Sequence, residues 1–342
     1  MKKIDDLSFE DLERSIVKME EPKFKAKQIF DWVHSKTVDD FDSMTNISKK
    51  TREFLNKNFE FTNASIKLKL ESKLDETKKY VIMFEDGNVV ESVFLKYKFG
   101  NTMCVSSEIG CKMGCVFCAS TKGGCIRGLT PAEMLKQIYL IQKDIGEKIS
   151  NIVIMGSGEP LDNYDNVLKF IRLINDKRGQ NVSMRKITIS TCGIVPKIYN
   201  LADEGIPITL AVSLHAPSQE KREQIIPVAK KYKLVELFKA CDYYVAKTGR
   251  RLTFEYIMIK GFNDGHEDAI MLSELLKNKL ANVNLIPCNS VKESGIRPSE
   301  AADIERFKKT MSDKGINTTV RRKLGSDINA ACGQLRNNFL KK

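Results

Sequence analysis

The sequence predicts an α/β protein whose main domain is a partial (β/α)6 barrel of parallel strands. From Met103 onward, segments rich in β-branched residues alternate with helical segments, as is typical of parallel βαβ units. The clearest helix start is Thr130-Pro131-x-Glu133, which combines an N-cap, a proline at the first helical position and a capping-box carboxylate. The six strands are expected to centre near Val105, Val153, Ile189, Ala211, Tyr256 and Asn284, with a last strand over residues 318–321.

The residues before the barrel divide into a helical head and an extended segment. Ser8 and Asp11 resemble a capping box at the start of a first helix. Two β-prone segments, 79–84 and 89–97, flank Asp86-Gly87, which is typical of a β-hairpin. We therefore expect a helical accessory domain over 1–61, a β-hairpin linker or extension over 62–102, and the barrel with a C-terminal tail over 103–342.

The composition favours a protein of the cytoplasm. The N-terminus has no apolar stretch of the signal-peptide type, and no apolar run approaches the roughly 20 residues that a bilayer-spanning helix needs. Nine cysteines, an odd number without an export signal, favour reduced thiols that bind metal or react over a disulfide framework. We therefore expect a cytoplasmic protein without a membrane segment.

The chain is strongly basic, with a formal net charge of +12, which favours a polyanionic partner such as nucleic acid. The alternative is a solvated face of charges that binds no particular partner. Basic residues cluster in the helical head and near the C-terminus: Lys23, Lys25, Lys27, Lys49, Lys50 and Arg52, then Arg321, Arg322 and Lys323. Trp32 would either pack in the core of the head or stack on a base. The head is therefore the expected RNA-binding accessory domain.

A C-x3-C-x2-C pattern is formed by Cys111, Cys115 and Cys118. Three thiolates at this spacing can hold a 4Fe-4S cluster and leave one iron without a protein ligand. S-adenosylmethionine can bind that iron through its amino and carboxylate groups, so the pattern indicates radical chemistry on this cofactor. A structural zinc site, with Cys104 or Cys125 as fourth ligand, is one alternative. A chance group of buried cysteines is another.

Polar residues follow the predicted strands at the ends where a parallel barrel places its active site. They are Gly156-Ser157-Gly158-Glu159-Pro160, Ser190-Thr191, Ser213-Leu214-His215 and Pro287-Cys288-Asn289. Gly158 would let the backbone approach a ligand closely, and the Glu159 carboxylate can accept hydrogen bonds from an ammonium group or a ribose hydroxyl. Plainer interpretations are a tight turn at Gly158, a packed or surface histidine at His215, and a simple strand end at Ser190.

Six motifs extend over nearly the whole chain. They are Cys111-Lys-Met-Gly-Cys115-Val-Phe-Cys118-Ala-Ser-Thr, Met155-Gly-Ser-Gly-Glu159-Pro160-Leu161, Ile189-Ser190-Thr191, Val212-Ser213-Leu214-His215-Ala216-Pro217, Asn284-Leu-Ile-Pro287, and Gly325-Ser-Asp327-Ile-Asn-Ala-Ala-Cys332-Gly333-Gln334-Leu335. Together they resemble the RlmN/Cfr family of radical S-adenosylmethionine RNA methyltransferases. The resemblance implies a 4Fe-4S cluster on the three cysteines and an S-adenosylmethionine bound by Gly158, Glu159, Ser190, Ser213, Leu214, His215 and Asn289.

The resemblance also implies the reaction, which is methylation of C2 of an adenine in 23S ribosomal RNA and, in some members, in the tRNA anticodon loop. Cys332 would become an S-methylcysteine whose carbon, after losing a hydrogen atom, adds to adenine C2. Cys104 would then release the product by forming a transient disulfide with Cys332. Glu91 is the implied proton acceptor, although by itself it resembles an exposed strand carboxylate. An electron donor such as flavodoxin and a monomeric state are also expected.

Two other functions stay open on the sequence. A Cfr-type enzyme that methylates adenine C8 shares the motifs, although Glu159-Pro160-Leu161-Asp162-Asn163 and Phe24-Lys-Ala-Lys-Gln-Ile-Phe-Asp-Trp32 resemble the C2 type. A non-enzymatic basic RNA-binding protein with a structural metal or a redox-sensing cluster is the second. Departures from the family pattern occur at Ser157 and Cys288, and Cys125, Cys192, Cys241 and Cys288 are interpreted as packing residues.

Overall fold

The computed structural model describes residues 1–288 and 295–335. Within these residues the chain forms ten α-helices and fourteen β-strands. The helices are α1 (Phe9–Lys18), α2 (Phe24–His34), α3 (Lys49–Asn58), α4 (Pro131–Ile145), α5 (Tyr164–Asn175), α6 (Val195–Asp203), α7 (Gln219–Ile225), α8 (Leu234–Thr248), α9 (His266–Leu276) and α10 (Ala301–Asp313). None of these described helices combines the length and the apolar character that a membrane span requires.

The strands differ widely in length, from two residues to nine. They are β1 (Lys2–Lys3), β2 (Phe59–Glu60), β3 (Ala64–Glu71), β4 (Lys78–Phe84), β5 (Val89–Tyr97), β6 (Gly100–Cys104), β7 (Glu108–Gly110), β8 (Cys125–Gly128), β9 (Asn151–Ile154), β10 (Ile187–Thr191), β11 (Thr209–Ser213), β12 (Leu252–Met258), β13 (Ala281–Pro287) and β14 (Thr318–Val320).

Ten of these strands form one sheet in the order β14-β13-β12-β11-β10-β9-β6-β5-β4-β3. From β6 to β14 all neighbours are parallel, and helices connect most of them. The predicted α/β class and partial barrel are therefore confirmed. All six predicted strands are present with the predicted last strand β14, and the first of them ends at Cys104, one residue before its expected centre.

The predicted hairpin is continuous with the barrel sheet. Strands β3, β4 and β5 pair antiparallel, and β5 pairs with β6 so that Val93 lies opposite Cys104. At the β4–β5 turn Gly87 has φ of +77°, the left-handed conformation that the Asp86-Gly87 signal predicts. The expected boundary at residue 102 falls within β6, because main-chain hydrogen bonds join the extension to the first barrel strand.

Helix starts follow the predicted caps. Ser8 Oγ accepts a hydrogen bond from the backbone N–H of Asp11 (3.1 Å) at the start of α1. At α4 the box is reciprocal: the backbone N–H of Thr130 donates to Glu133 Oε2 (2.9 Å), and that of Glu133 donates to Thr130 Oγ1 (3.2 Å). The start of α4 is thereby fixed beside the barrel.

The helical head packs on the outer face of the barrel along α4. Buried residues of the head, such as Phe30, belong to the same hydrophobic core as those of the barrel. Across this contact, Lys136 Nζ lies 2.6 Å from Asp39 Oδ1, and His34 Nδ1 lies 3.0 Å from the hydroxyl of Tyr139. Because apolar and polar contacts both cross the boundary, the head is held in a fixed position on the barrel.

Burial of His34 makes the stability of this contact depend on pH. His34 is 1 % exposed, and burial lowers its pKa to about 3. The unfolded chain binds a proton at His34 near pH 6.5, whereas the folded chain does not. The stability that His34 contributes is therefore complete above about pH 6.5 and is lost as the pH falls toward 3, with a slope approaching about 1.4 kcal/mol per pH unit.

When the pH is lowered from 6.5 to 5, we expect the free energy of unfolding to fall by about 2 kcal/mol less in the His34→Gln variant than in the wild type. Urea titrations at the two pH values measure this difference. His266 is exposed, so His266→Gln is the control and should follow the wild type. If His34→Gln loses as much stability as the wild type, the folded chain binds a proton at His34 in this pH range.

Candidate active site

A cavity opens at the carboxyl ends of the parallel strands, and we call it the upper cavity. It is lined by most of the side chains that the sequence predicts as cluster or cofactor ligands. These are Cys111, Cys115, Cys118, Gly158, Glu159, Ser190, Ser213 and His215, together with Met155, Glu255, Arg321 and Cys332. The strand ends and the cysteine loop therefore converge on one site, as expected for a parallel barrel.

The cysteine loop lies between β7 and β8. The backbone N–H of Cys111 donates to the carbonyl of Gly124 (2.9 Å), and that of Cys118 donates to the carbonyl of Cys115 (3.1 Å). Gly114 has φ of +72°, a conformation that favours glycine. The loop is thereby folded so that all three thiols face the upper cavity.

The chemistry of the three thiols fits an iron-sulfur cluster. Burial raises the pKa of Cys111 to about 12 and that of Cys115 well above its usual range, and the neighbouring cysteines add to both shifts. Thiolates at these positions therefore need a nearby cation, and iron supplies one. Within residues 1–288 and 295–335, no three Cys, His, Asp or Glu side chains are placed closely enough to hold a single metal ion.

The glycine loop after β9 is held tightly against β7. Gly158 has φ of +106°, and a Cβ there would lie 2.6 Å from Glu108 Cβ. The carboxylate of Glu159 accepts hydrogen bonds from the backbone N–H groups of Leu161 (3.0 Å) and Cys192 (2.8 Å). Glu159 thus ties this loop to the end of β10.

His215 lies at the end of β11 with its ring in the upper cavity. Its Nδ1 accepts a hydrogen bond from the backbone N–H of Ile257 (3.0 Å), so in the neutral ring Nε2 carries the hydrogen. Burial, together with the charge of Arg222, lowers the pKa of His215 to about 3. His215 therefore offers a neutral N–H donor to a ligand at neutral pH.

Leu214, a predicted cofactor residue, does not line this cavity. Leu214 packs in the hydrophobic core, its backbone N–H donates to the carbonyl of Glu255 (3.1 Å), and its carbonyl accepts from Arg222 Nε (3.2 Å). Leu214 therefore positions its neighbours Ser213 and His215. Asn289 lies outside the described residues.

The β3–β4 turn forms hydrogen bonds with the tail that carries Cys332. Asp327 accepts hydrogen bonds from Ser72 Oγ (2.7 Å) and from the backbone N–H of Lys73 (2.8 Å). Asp75 Oδ2 accepts from the backbone N–H of Gly325 (3.0 Å). On the far side of Cys332, the carbonyl of Gly333 accepts from the backbone N–H of Ala119 (2.8 Å), next to the cysteine loop. Contacts on both sides therefore hold Cys332 over the barrel.

The structure brings Cys332 and Cys104 together. Both line a second, smaller cavity beside the upper one, with Tyr97 and Arg321. Neither of them forms a disulfide. Burial, with the charge of Cys332, raises the pKa of Cys104 to about 12, while Arg321 opposes this shift. Since Cys332 also lines the upper cavity, it stands between the cofactor residues and Cys104.

Glu91 is buried at 1 % exposure, contrary to the plainer expectation of an exposed strand carboxylate. Its Oε1 lies 2.9 Å from Lys79 Nζ, which also donates to the carbonyl of Asn329 in the tail (3.2 Å). Glu91 shares a face of β5 with Val93, the residue opposite Cys104. It does not line the upper cavity.

Two site residues escape prediction from the sequence. Arg321 is expected among the phosphate-binding surface cations, but its side chain enters the barrel, where the Cys332 thiolate and the Glu255 carboxylate raise its pKa. Glu255 lies in β12 and lines the same cavity. Its signal in the sequence is a single carboxylate within the otherwise apolar stretch Phe254–Ile259.

A partial parallel barrel with a three-cysteine loop and polar strand ends around one cavity is the arrangement of a radical S-adenosylmethionine enzyme. The family model for the Radical SAM superfamily matches residues 107–272. A second model, described as the ribosomal RNA large subunit methyltransferase N-terminal domain, matches residues 3–61.

Full-length relatives identify the family more closely. The chain is 52 % identical over 341 residues to the "Probable dual-specificity RNA methyltransferase RlmN" of Clostridium novyi (strain NT), covering 100 % of this chain and 99 % of the relative. It is 50 % identical over 342 residues to the protein of the same name from Clostridium botulinum (strain Okra / Type B1), covering 100 % of each. The chain therefore belongs to the RlmN family of radical S-adenosylmethionine RNA methyltransferases.

The fold agrees with this assignment. A crystal structure of a radical SAM methyltransferase from Sphaerobacter thermophilus superposes with a TM-score of 0.93 at 38 % identity. The match covers 98 % of this chain and 99 % of the other. The similarity thus includes the head, the hairpin extension and the barrel.

Proposed function

We propose that this chain methylates C2 of an adenine in 23S ribosomal RNA, and of an adenine in the tRNA anticodon loop, through an S-methylcysteine at Cys332. The observation that carries the proposal is the position of Cys332, which lines both the upper cavity and the cavity of Cys104. A sulfur in that position can receive a group from a cofactor on one side and be attacked by a second thiol on the other. The dual specificity in the names of the relatives agrees with two RNA substrates.

The cofactors are assigned to the upper cavity. Cys111, Cys115 and Cys118 would hold the 4Fe-4S cluster, and Gly158, Glu159, Ser190, Ser213 and His215 would surround S-adenosylmethionine. Together the cluster and S-adenosylmethionine would supply an electrophilic methyl group. When an electron donor such as flavodoxin reduces the cluster, they would also supply an acceptor for a hydrogen atom. The protein's own residues bind and orient the cofactors and provide the ionisable groups of the reaction.

Cys332 is the proposed methyl carrier. Adenine C2 is an electron-poor carbon and no nucleophile, so direct transfer from a sulfonium is blocked, whereas a thiolate accepts a methyl group readily. Arg321 lines both cavities that Cys332 lines, so its guanidinium charge lies near the sulfur that must attack. After the attached methyl loses a hydrogen atom, its carbon adds to C2 and links Cys332 to the RNA.

Glu91 and Cys104 are the proposed residues for product release. The buried carboxylate of Glu91, which lies 2.9 Å from Lys79 Nζ, takes the proton from C2, and the unpaired electron of the adduct would pass to the oxidised cluster. The sulfur of Cys104 then attacks the sulfur of Cys332, so that an S–S bond forms and the S–C bond breaks. The electron pair stays on the methylene carbon, which takes a proton to complete the methyl group. The resulting disulfide must be reduced before the next turnover.

The helical head is the proposed RNA-binding surface. The protein is proposed to act as a monomer in the cytoplasm. Lys23 and Lys27 are exposed at the start of α2, and Lys50 is exposed at the start of α3. Trp32 is partly buried against the core, and Lys36 Nζ lies 3.5 Å from its ring centroid, which favours packing over base stacking. The exposed lysines are thus the groups that can meet phosphates.

We expect reversal of these charges in a Lys23→Glu, Lys27→Glu, Lys50→Glu variant to weaken binding of an RNA hairpin at least about 10-fold at low salt, and to flatten its salt dependence. Fluorescence anisotropy over a salt series measures both. The matched control reverses three exposed lysines on α8, α9 and the end of α10, namely Lys239, Lys277 and Lys314. Equal losses in the two variants would show that only net charge matters and that the head has no specific role.

The direct test of the proposed function is product analysis. The protein is reconstituted anaerobically with iron and sulfide, then supplied with S-adenosylmethionine, a reductant and a 23S ribosomal RNA fragment. We expect 2-methyladenosine among the digested nucleosides by mass spectrometry. 8-Methyladenosine would instead assign the chain to C8 methylation, and a colourless, zinc-loaded protein without methyl transfer would support the non-enzymatic alternative.

A further inference from the structure

A larger cavity of about 750 Å³ lies inside the barrel below the upper cavity, and we call it the lower cavity. The two cavities share three lining residues, Met155, Glu255 and Arg321. The lower cavity is therefore adjacent to the upper cavity, which Cys332 lines.

The side chains of the lower cavity suit a nucleotide. Uncharged polar groups from the strand interiors, such as Thr188 and Asn282, line its wall. Lys98, Arg185 and Arg322 contribute positive charge to its lining. Amides and hydroxyls can exchange hydrogen bonds with a base or a ribose, and the cations can meet phosphates.

An aromatic pair lies at the mouth of this cavity. The rings of Tyr97 and Phe99 stack with centroids 4.8 Å apart and planes 10° from parallel. Phe99 is 70 % exposed although it is a large apolar residue. An exposed ring beside positive charge is the kind of surface on which single-stranded bases stack, so the mouth can receive an RNA strand whose bases are unstacked.

Within the described part of the chain, Glu255 is the only carboxylate that lines both cavities. Its side chain is 4 % exposed, and its Oε1 accepts a hydrogen bond from Asn284 Nδ2 (3.3 Å). Among the described residues no side chain or backbone group donates to its Oε2. A buried carboxylate oxygen without a donor is costly in a protein interior, which points to a donor supplied by a ligand.

The position of Glu255 indicates that the missing donor is a group of the reacting base. Cys332 and Arg321 line the same upper cavity as Glu255, so a base that moves from the lower cavity toward Cys332 passes this carboxylate. At C6, adenine carries an amino group that donates hydrogen bonds, whereas guanine carries a carbonyl oxygen that accepts them. A carboxylate that faces the substituent at C6 therefore favours adenine over guanine.

We propose that the lower cavity admits the unstacked target nucleotide and that Glu255 Oε2 accepts a hydrogen bond from the exocyclic amino group of adenine. Glu255 is thus a specificity-determining residue, and Phe99 provides the stacking surface for a neighbouring base. The inference deepens the proposed function and depends on it. It adds the contact by which the protein selects adenine.

The test compares two RNA hairpins that differ only at the target position, one with adenosine and one with purine ribonucleoside, which lacks the amino group. For the reconstituted holoenzyme we expect kcat/KM to favour adenosine by about 10- to 100-fold more in the wild type than in Glu255→Met. In Glu255→Gln, whose amide oxygen is a weaker acceptor, the preference should fall between the two. The amino group also changes the reactivity of C2, but this electronic effect is the same for the wild type and its variants. The ratio of their adenosine preferences therefore measures only the contact between Glu255 and the amino group.

A second readout is independent of turnover. The equilibrium Kd of each hairpin, measured by anisotropy with the same holoenzymes, should favour adenosine in the wild type and show little preference in Glu255→Met. Tyr256→Phe, which removes a buried hydrogen bond of the same strand outside both cavities, is the matched control and should keep the wild-type preference.

The outcomes separate the two claims. An adenosine preference that is unchanged in both Glu255 variants overturns the assignment of Glu255 while leaving the proposed function intact. A wild type that binds its cofactors but makes no methylated adenine overturns the proposed function, and this inference with it. If Glu255→Met does not fold, Glu255→Gln decides the question, because an unaltered preference in that variant also overturns the assignment.

Discussion

Replacement of Cys332 by alanine is expected to reduce RNA methylation by at least about 10³-fold, because among the described residues Cys332 is the only thiol that lines both the upper cavity and the cavity of Cys104. The alanine variant should still bind its cluster, since the three cluster cysteines are unchanged. Methylated nucleosides and the visible absorbance of the cluster are measured on the same preparation.

The matched control is Cys241→Ala in α8. Cys241 is a free cysteine that is fully buried in the hydrophobic core, away from the cavity. We expect it to cost about 1 kcal/mol of stability and to leave methylation close to wild type. Methylation by Cys332→Ala at the level of this control would rule out Cys332 as the carrier.

Replacement of Cys104 by alanine is expected to stop the reaction one step later. Without a second thiol in the smaller cavity, the bond between the sulfur of Cys332 and the methylene on adenine cannot be broken. A covalent protein–RNA adduct should accumulate to nearly one equivalent and survive reducing agents, because the link is a thioether and not a disulfide. A denaturing gel with labelled RNA measures it.

The double variant Cys104→Ala, Cys332→Ala is the control for this adduct, and it should form none. Cys104→Ala protein that turns over repeatedly and forms no adduct would exclude Cys104 as the resolving thiol. Adduct in the double variant would show that another side chain is linked to the RNA.

Local signals in the sequence predict the parts of the fold that depend on local physics. The capping box at Thr130 and the turn at Asp86-Gly87 both form as predicted, since each depends on a few adjacent residues. The convergence of the cysteine loop and the strand ends also follows, because parallel strands bring their carboxyl ends to one edge. The α/β class and much of the site outline could therefore be predicted.

The environment of Glu91 could not be predicted. Its burial and its link to the tail depend on Lys79 contacting Asn329, which is 250 residues away in the sequence. No local pattern encodes a contact of that length. The position of the Arg321 side chain could not be predicted for the same reason. Its direction depends on the tail and the sheet, which meet only in the folded chain.

Glu255 shows a different limit. A lone acidic residue in an apolar strand indicates a buried polar group, but the sequence does not reveal which of its hydrogen bonds are satisfied by the protein. Only the folded structure shows that one oxygen is buried without a donor among the described residues, next to two cavities. Specificity residues of this kind are found from the structure.

The measurement that tests the central claim most directly is the isotope content of the new methyl group. The reconstituted protein is given S-adenosylmethionine with a trideuterated methyl in ordinary water, and the product of later turnovers is analysed by mass spectrometry. If Cys332 carries the methyl, one deuterium is lost before the carbon joins adenine and one hydrogen enters from solvent, so the product should contain two deuterium atoms. A product with three would show direct transfer of an intact methyl group and would contradict the carrier role of Cys332.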